Sequence, residues 1–442
     1  MKSIFIVCFS LLAVVAPAQQ VLDAYVKTGL ENNLALLQKE SGYRQSLEAL
    51  REARGMFYPA VSLNARYTRS EGGRVIEFPV GTLLNSVYSQ LGMPVVLEDE
   101  EIRFLRPAEQ ETKIRLVQPL VNADIYYNSR IRKELSVAEE ISVEQYRREV
   151  TSEIRKAYYT LGMAEGVLGM LQETKLLLLE NIRVNEKLIE NGKTTLDNLY
   201  RSQTELSKFE QTFQEAFKNR EIAKAWFNFL LNRPLSDSVI IERPAISAGL
   251  PGNLTDHVEQ AVVNREEILN LEQYLRVADL SVGMNRTARL PDITAVADYG
   301  FEGEKYAFNK NTDYLQASLV LSWDLFSGFQ QRAKIRQALI GKEKLEHQLD
   351  EARSQVSLQV IRAFRELKSA EAGISAAENQ LKTASEGFRL VKRRYEEGQA
   401  SLIEFIDARN TLTQAEENLI VSRYTLLIDQ AEFEKVIAVN KQ

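Results

Sequence analysis

The chain has 442 residues, of which 45% are apolar and 26% charged, the usage of a folded protein and not of a disordered one. A formal net charge of -6 argues against a nucleic-acid binder, which needs a basic face. One Cys and two His (Cys8, His257, His347) leave disulfides, thiolate metal sites and most imidazole chemistry short of parts.

The N-terminus carries Lys2, an apolar run from Ile4 to Val15, and then Ala16-Pro17-Ala18. This order predicts a signal peptide over residues 1–18, cleaved before Gln19. A short buried helix is the alternative. Cys8 lies inside the apolar run, so no lipoprotein is expected. Beyond residue 18 no apolar stretch approaches the roughly 18 residues of a membrane helix. The mature chain is expected in the periplasm, outside the cell, or in a membrane as a β-barrel.

The rest reads as a tandem repeat. Arg54, Pro59, Val61 and Tyr67 return 232 positions later as Arg286, Pro291, Ile293 and Tyr299. The pair Asn191-Gly192 returns 206 positions later as Glu397-Gly398. We therefore expect a first repeat over 19–231, a linker over 232–255 and a second repeat over 256–442. Each begins with a helix (22–57 and 256–289). Each continues with a β-hairpin, 59–120 with a long surface loop 68–112, and 291–326. A very long helix follows (122–190 and 328–396), then a tip turn (191–195 and 397–401) and a further helix (195–231 and 401–437). No Pro falls between 120 and 233 or after 291 to break the helices. At 1.5 Å per residue the long helices span about 100 Å, too long for a globular core. Leu345, Leu349, Ala352, Val356, Val360, Phe364 and Leu367 step by three and four, as coiled-coil seams do.

The strand segments alternate. Val61, Leu63, Ala65 and Tyr67 oppose Ser62, Asn64 and Arg66. Over 314–325, Leu315, Ala317, Leu319, Leu321, Trp323 and Leu325 oppose Gln316, Ser318, Ser322 and Asp324. Such segments suit a barrel with lipid outside and water inside, or a half-buried soluble sheet. Four strands do not close a barrel, and lipid tolerates no open edge, so several copies would have to share one.

The duplicated halves, the prolines that open the strands (Pro59, Pro291), the strand ends Val117-Gln118-Pro119-Leu120 and Ser322-Trp323-Asp324-Leu325, and the Gly192 and Gly398 turns together resemble the TolC-like outer-membrane efflux channel family. The resemblance covers essentially the whole mature chain. It implies a mainly α fold with a small β part: a homotrimer with a long α-helical barrel and a 12-stranded transmembrane β-barrel, four strands from each protomer. It implies the outer membrane of a Gram-negative bacterium, and a periplasmic adaptor (membrane fusion protein) and inner-membrane pump as partners. The function implied is that of a passive exit duct for efflux or type I secretion, without cofactor or metal. Within it, Glu404 and Asp407 fall where the family places its constriction acids, and Tyr395 where it places a gate-linking Tyr. Asp197 and Asn198 take the polar linking positions of the first tip. The basic partner of the gate is missing, its place being held by Ala400.

Other readings stay open at this stage. Glu404 and Asp407 are also ordinary acids of a first helical turn, favoured there by the helix dipole. Carboxylate pairs such as Glu266-Glu267 or Glu416-Glu417 are poor evidence for an enzyme, because adjacent helical residues diverge by about 100°. A periplasmic coiled-coil adaptor without a membrane barrel would share the helical hairpins but lack the four matched strands.

Overall fold

The structure is a computed structural model that describes residues 17–94, 96–242 and 252–438. Residues 1–16 of the expected signal peptide, residues 243–251 of the expected linker and the last four residues lie outside them. In chain order the elements are α1 (Pro17–Asn32), α2 (Leu34–Gly55), β1 (Ala60–Arg69), β2 (Val75–Phe78), α3 (Val80–Gln90), β3 (Glu100–Arg103) and β4 (Ala108–Val121). Then come α4 (Ala123–Glu190), α5 (Leu196–Leu230), α6 (Leu254–Asn264), α7 (Glu266–Thr287), β5 (Asp292–Gly303), β6 (Asp313–Ser322), α8 (Gln330–Glu396) and α9 (Leu402–Val436). They form two compact units. The first holds residues up to Ser46, Leu135–Arg276 and Glu343 onward, and the second Leu47–Glu134 and Val277–Lys342.

The first unit is helical, and its core repeats residue by residue. Leu22, Val26, Ile154, Tyr158, Phe227 and Leu230 pack into one cluster. Their counterparts in the second half, Leu254, Val258, Val360, Phe364, Phe433 and Val436, pack into another. The expected seam is part of the latter: Leu349, Val356, Val360 and Leu367 are buried, with Ala352 and Phe364 against them. Burial of such side chains contributes roughly 1.5–3 kcal/mol each and outweighs modest helix propensity. His257 is buried here too, edge-on to Phe433 with ring centroids 5.1 Å apart.

Each half opens with two helices where one was expected. The first break falls at Asn33. Its side-chain Oδ1 accepts from the backbone N–H groups of Ala35 and Leu36 (3.1 Å each), capping α2, and its Nδ2 donates to the Leu230 carbonyl at 3.0 Å. The second break falls 232 positions later at Arg265, whose backbone is extended (φ -65°, ψ 130°). Its guanidinium is buried and donates to the Val436 carbonyl at 3.2 Å. Leu230 and Val436 are themselves repeat equivalents, 206 apart. Two chemically different side chains thus satisfy the same orphan carbonyl at the end of each closing helix.

The second unit contains an antiparallel four-stranded sheet in the order β1-β4-β5-β6. Pairing brings Val61 beside Leu116, Leu116 beside Ala297 and Ala297 beside Ala317. Leu63, Ile114, Tyr299 and Leu315 form the next such row. One face is therefore apolar, and its large side chains are exposed: Leu63 by 71% and Leu315 by 76%. The opposite face is polar. Arg115 donates to both oxygens of Asp298 (2.8 and 2.7 Å), Lys113 to Glu111 (2.5 Å), and the Tyr314 hydroxyl to Glu111 (2.9 Å). Pro119 sits at a register shift of β4, beyond its pairing with β1, where a missing N–H costs no ladder bond.

Two strand limits differ from expectation. β6 ends at Ser322, and the Trp323 indole N–H turns to the Arg289 carbonyl at 2.9 Å. The segment between β1 and β4 is shorter than 68–112, and residues 70–107 carry their own β2–β3 hairpin and α3.

Candidate functional site

The hairpin tips end alike because each needs a left-handed turn. Gly192 (φ 66°) and Gly398 (φ 75°) adopt a backbone that a side chain would strain. Around them Lys193 N–H bonds Leu188 O, and Gln399 N–H bonds Arg394 O, both at 2.8 Å and 206 positions apart. The helices that follow differ. Ser401 caps α9: its Oγ accepts from the Glu404 N–H (3.2 Å) and donates to a Glu404 carboxylate oxygen (3.3 Å). Thr195 precedes α5 with no side-chain cap.

Tyr395 joins the two hairpins. Its ring stacks on Phe405, centroids 4.9 Å apart and planes 28° off parallel. Its hydroxyl donates to Asn185 Oδ1 of α4 at 3.0 Å. Burial pushes the phenol above its ordinary pKa, against the opposing effect of its hydrogen bonds to Asn185 and Asn181. Asn185 is fully buried, and its Nδ2 donates to the Asn181 carbonyl (3.0 Å) and to Ser202 Oγ (3.1 Å). Ser202 Oγ in turn lies 3.1 Å from Asn181 Oδ1 and 3.0 Å from the Asn198 carbonyl. A buried polar chain of this kind is stable only when its members are satisfied. The repeat equivalents of Asn181, Asn185 and Ser202 are Gly387, Val391 and Ala408, which line an open apolar groove on the second hairpin. The polar seam is thus a property of the first hairpin alone.

The expected acids occupy this neighbourhood in different roles. Glu404 is half-exposed, within the capping box, and has Arg394 at 3.6 Å. Asp407 is exposed. Asp197 pairs with Arg201 (2.9 Å), and Asn198 donates to Thr194 Oγ1 (2.7 Å), both local contacts. Arg394 is the base nearest Glu404, and Ala400 offers none. Arg409 is a second: it is buried, approaches Glu205 of α5 at 3.3 Å, and burial lowers its pKa. The sequence reading missed Asn181, Asn185, Ser202, Arg394 and Arg409. Comparing the two copies position by position would have exposed the first three, since polar residues there replace small or apolar ones. Among the described residues no group of three or more His, Cys, Asp or Glu side chains is placed to hold a metal ion.

A family model for outer membrane efflux proteins matches residues 257–439. The chain is 24% identical over 345 residues to the alkaline protease secretion protein AprF of Pseudomonas aeruginosa, covering 74% of this chain and 71% of that one. It is 19% identical to the outer membrane protein TolC of Salmonella enteritidis, covering 93% and 80%. The fold superposes on the Campylobacter jejuni CmeC outer membrane channel with a TM-score of 0.78 at 17% identity, over 95% of this chain and 85% of that one. In sequence and in fold the chain is thus similar to the TolC-like outer-membrane efflux proteins.

Proposed function

We propose that this protein is the outer-membrane exit duct of a tripartite efflux or type I secretion system, conducting substrate passively from a periplasmic adaptor and an inner-membrane pump to the exterior. The observation that carries the reading is the sheet. Its apolar side chains are exposed on one face, its ion pairs lie on the other, and β1 and β6 have no strand partner beyond them among the described residues. Three copies supply twelve strands, remove the edges and put apolar side chains against lipid. A periplasmic adaptor has no use for such a face.

In the helical unit, Tyr395 and Asn185 form a tie that keeps the hairpins of each protomer together. Glu404 and Asp407, three residues apart on one face of α9, contribute six carboxylates to the trimer's periplasmic constriction. Native mass spectrometry of detergent-extracted protein tests the assembly. The expected species is three chains. A monodisperse monomer soluble without detergent contradicts both barrel and duct.

A further inference from the structure

The β1–β4 connection has a feature that conduction does not use. From Val80 to Leu97 there is no charged residue, in a chain that is 26% charged. The segment is ordered by its polar side. Thr82 donates from its backbone N–H and its hydroxyl to Asp99 (2.9 Å each), and Asn85 exchanges two 2.8 Å bonds with the backbone of Leu97. Gly81 lets α3 lie against residues 97–99, since a Cβ there would stand 2.3 Å from the Leu97 carbonyl oxygen. This strapping fixes which face of α3 points away. That face carries Leu83 and Val87 and continues to the C-cap residue Leu91, spaced by four and 66%, 48% and 65% exposed. A stripe of this kind on a short helix is stable when something covers it.

We propose that the stripe is covered by the same helix of the other two protomers, so that three copies of α3 form an apolar cap over the outer mouth of the channel. The inference rests on the trimeric barrel proposed above. Its root is continuous with that interface. The insertion leaves the sheet from β1, an edge strand, which in the barrel meets the neighbouring protomer. The dimensions fit. Twelve strands about 4.8 Å apart and tilted by about 40° close at a radius of about 12 Å, and the eleven residues of α3 span about 16 Å. Lipid is a poorer occupant, because Glu98, Asp99, Glu100 and Glu101 follow directly and repel anionic headgroups.

The test uses Val87→Cys and Leu91→Cys in a Cys8→Ser background, treated in intact outer membranes with a short three-armed maleimide, with Lys310→Cys as the control. Covalent trimers at 87 and 91, and single-chain adducts at 310, are expected. With the tie already removed by Tyr395→Phe/Asn185→Leu, the triple substitution of Leu83, Val87 and Leu91 by Ser is expected to raise single-channel conductance further. A native trimer that yields only single-chain adducts at 87 and 91, or labels there only with a lipid-partitioned maleimide, overturns the cap and leaves the duct standing. Unchanged conductance of the triple variant overturns it too. Absence of any trimer on native mass spectrometry overturns the duct itself.

Discussion

Tyr395 illustrates how one side chain connects two hairpins that the chain order keeps 206 residues apart. Replacing it with Phe keeps the stacking on Phe405 and removes the donor to buried Asn185 Oδ1. An acceptor left unsatisfied in this way costs about 1–3 kcal/mol. We expect Tyr395→Phe to speed amide hydrogen exchange around Asn181–Ser202 by the corresponding factor, with little change at Leu349–Leu367; equal exchange in both regions would show that the tie carries no energy. The pH dependence has a definite sign. A phenol whose pKa is raised on folding stabilises the tie fully below its unfolded value near 10, and that stabilisation is lost as pH rises through the folded value. The tie is therefore insensitive to pH across the neutral range and fails only in strong alkali. For the acids, Glu404→Ala with Asp407→Ala should lower cation selectivity and weaken block by multivalent cations in planar bilayers without disturbing assembly, because neither side chain is buried. Selectivity and block equal to wild type would make these acids only a solvated turn.

At the scale of elements, the helices were legible because apolar spacing and the absence of Pro over long stretches leave few alternatives. The breaks at Asn33 and Arg265 were not legible. Neither is Gly or Pro, and each interrupts a helix through a distant contact, to Leu230 O and Val436 O, that no local pattern announces. Arg265→Met should cost more than Asn33→Leu, because it also strands Glu267, which lies 2.5 Å from the guanidinium. Both losses should fall in the range of about 1–3 kcal/mol or above, read as a lower unfolding midpoint; a midpoint equal to wild type in either variant would show that the carbonyl is satisfied otherwise. The β1–β4 insertion is more apolar than a solvated loop, as Val80 to Leu97 without a charge shows, while its division into β2, α3 and β3 depends on side-chain bonds from Thr82 and Asn85. At the tips, the turns followed from Gly192 and Gly398. The polar seam did not follow from local pattern, and shows in the sequence only when the copies are compared position by position, which sets Asn181 and Asn185 against Gly387 and Val391.

For the whole molecule, duplication is the organising fact. Each half brings two strands to the four-stranded sheet, a long helix, a glycine turn and a 35-residue closing helix (α5 and α9), and the cores match position by position. The copies differ chiefly in the β1–β4 insertion and in the Asn–Ser seam with its Tyr395 partner, and the proposals above rest on these differences. An exposed apolar sheet with unpaired edges is incomplete in one chain, so assembly and membrane insertion are a single requirement. The measurement that tests this account most directly is single-channel recording of the detergent-purified protein in planar bilayers, wild type beside Tyr395→Phe/Asn185→Leu. The account predicts a conducting trimer whose conductance is low in the wild type and rises when the tie is removed. Protein that inserts without conducting in either form, or that conducts identically in both, would contradict it.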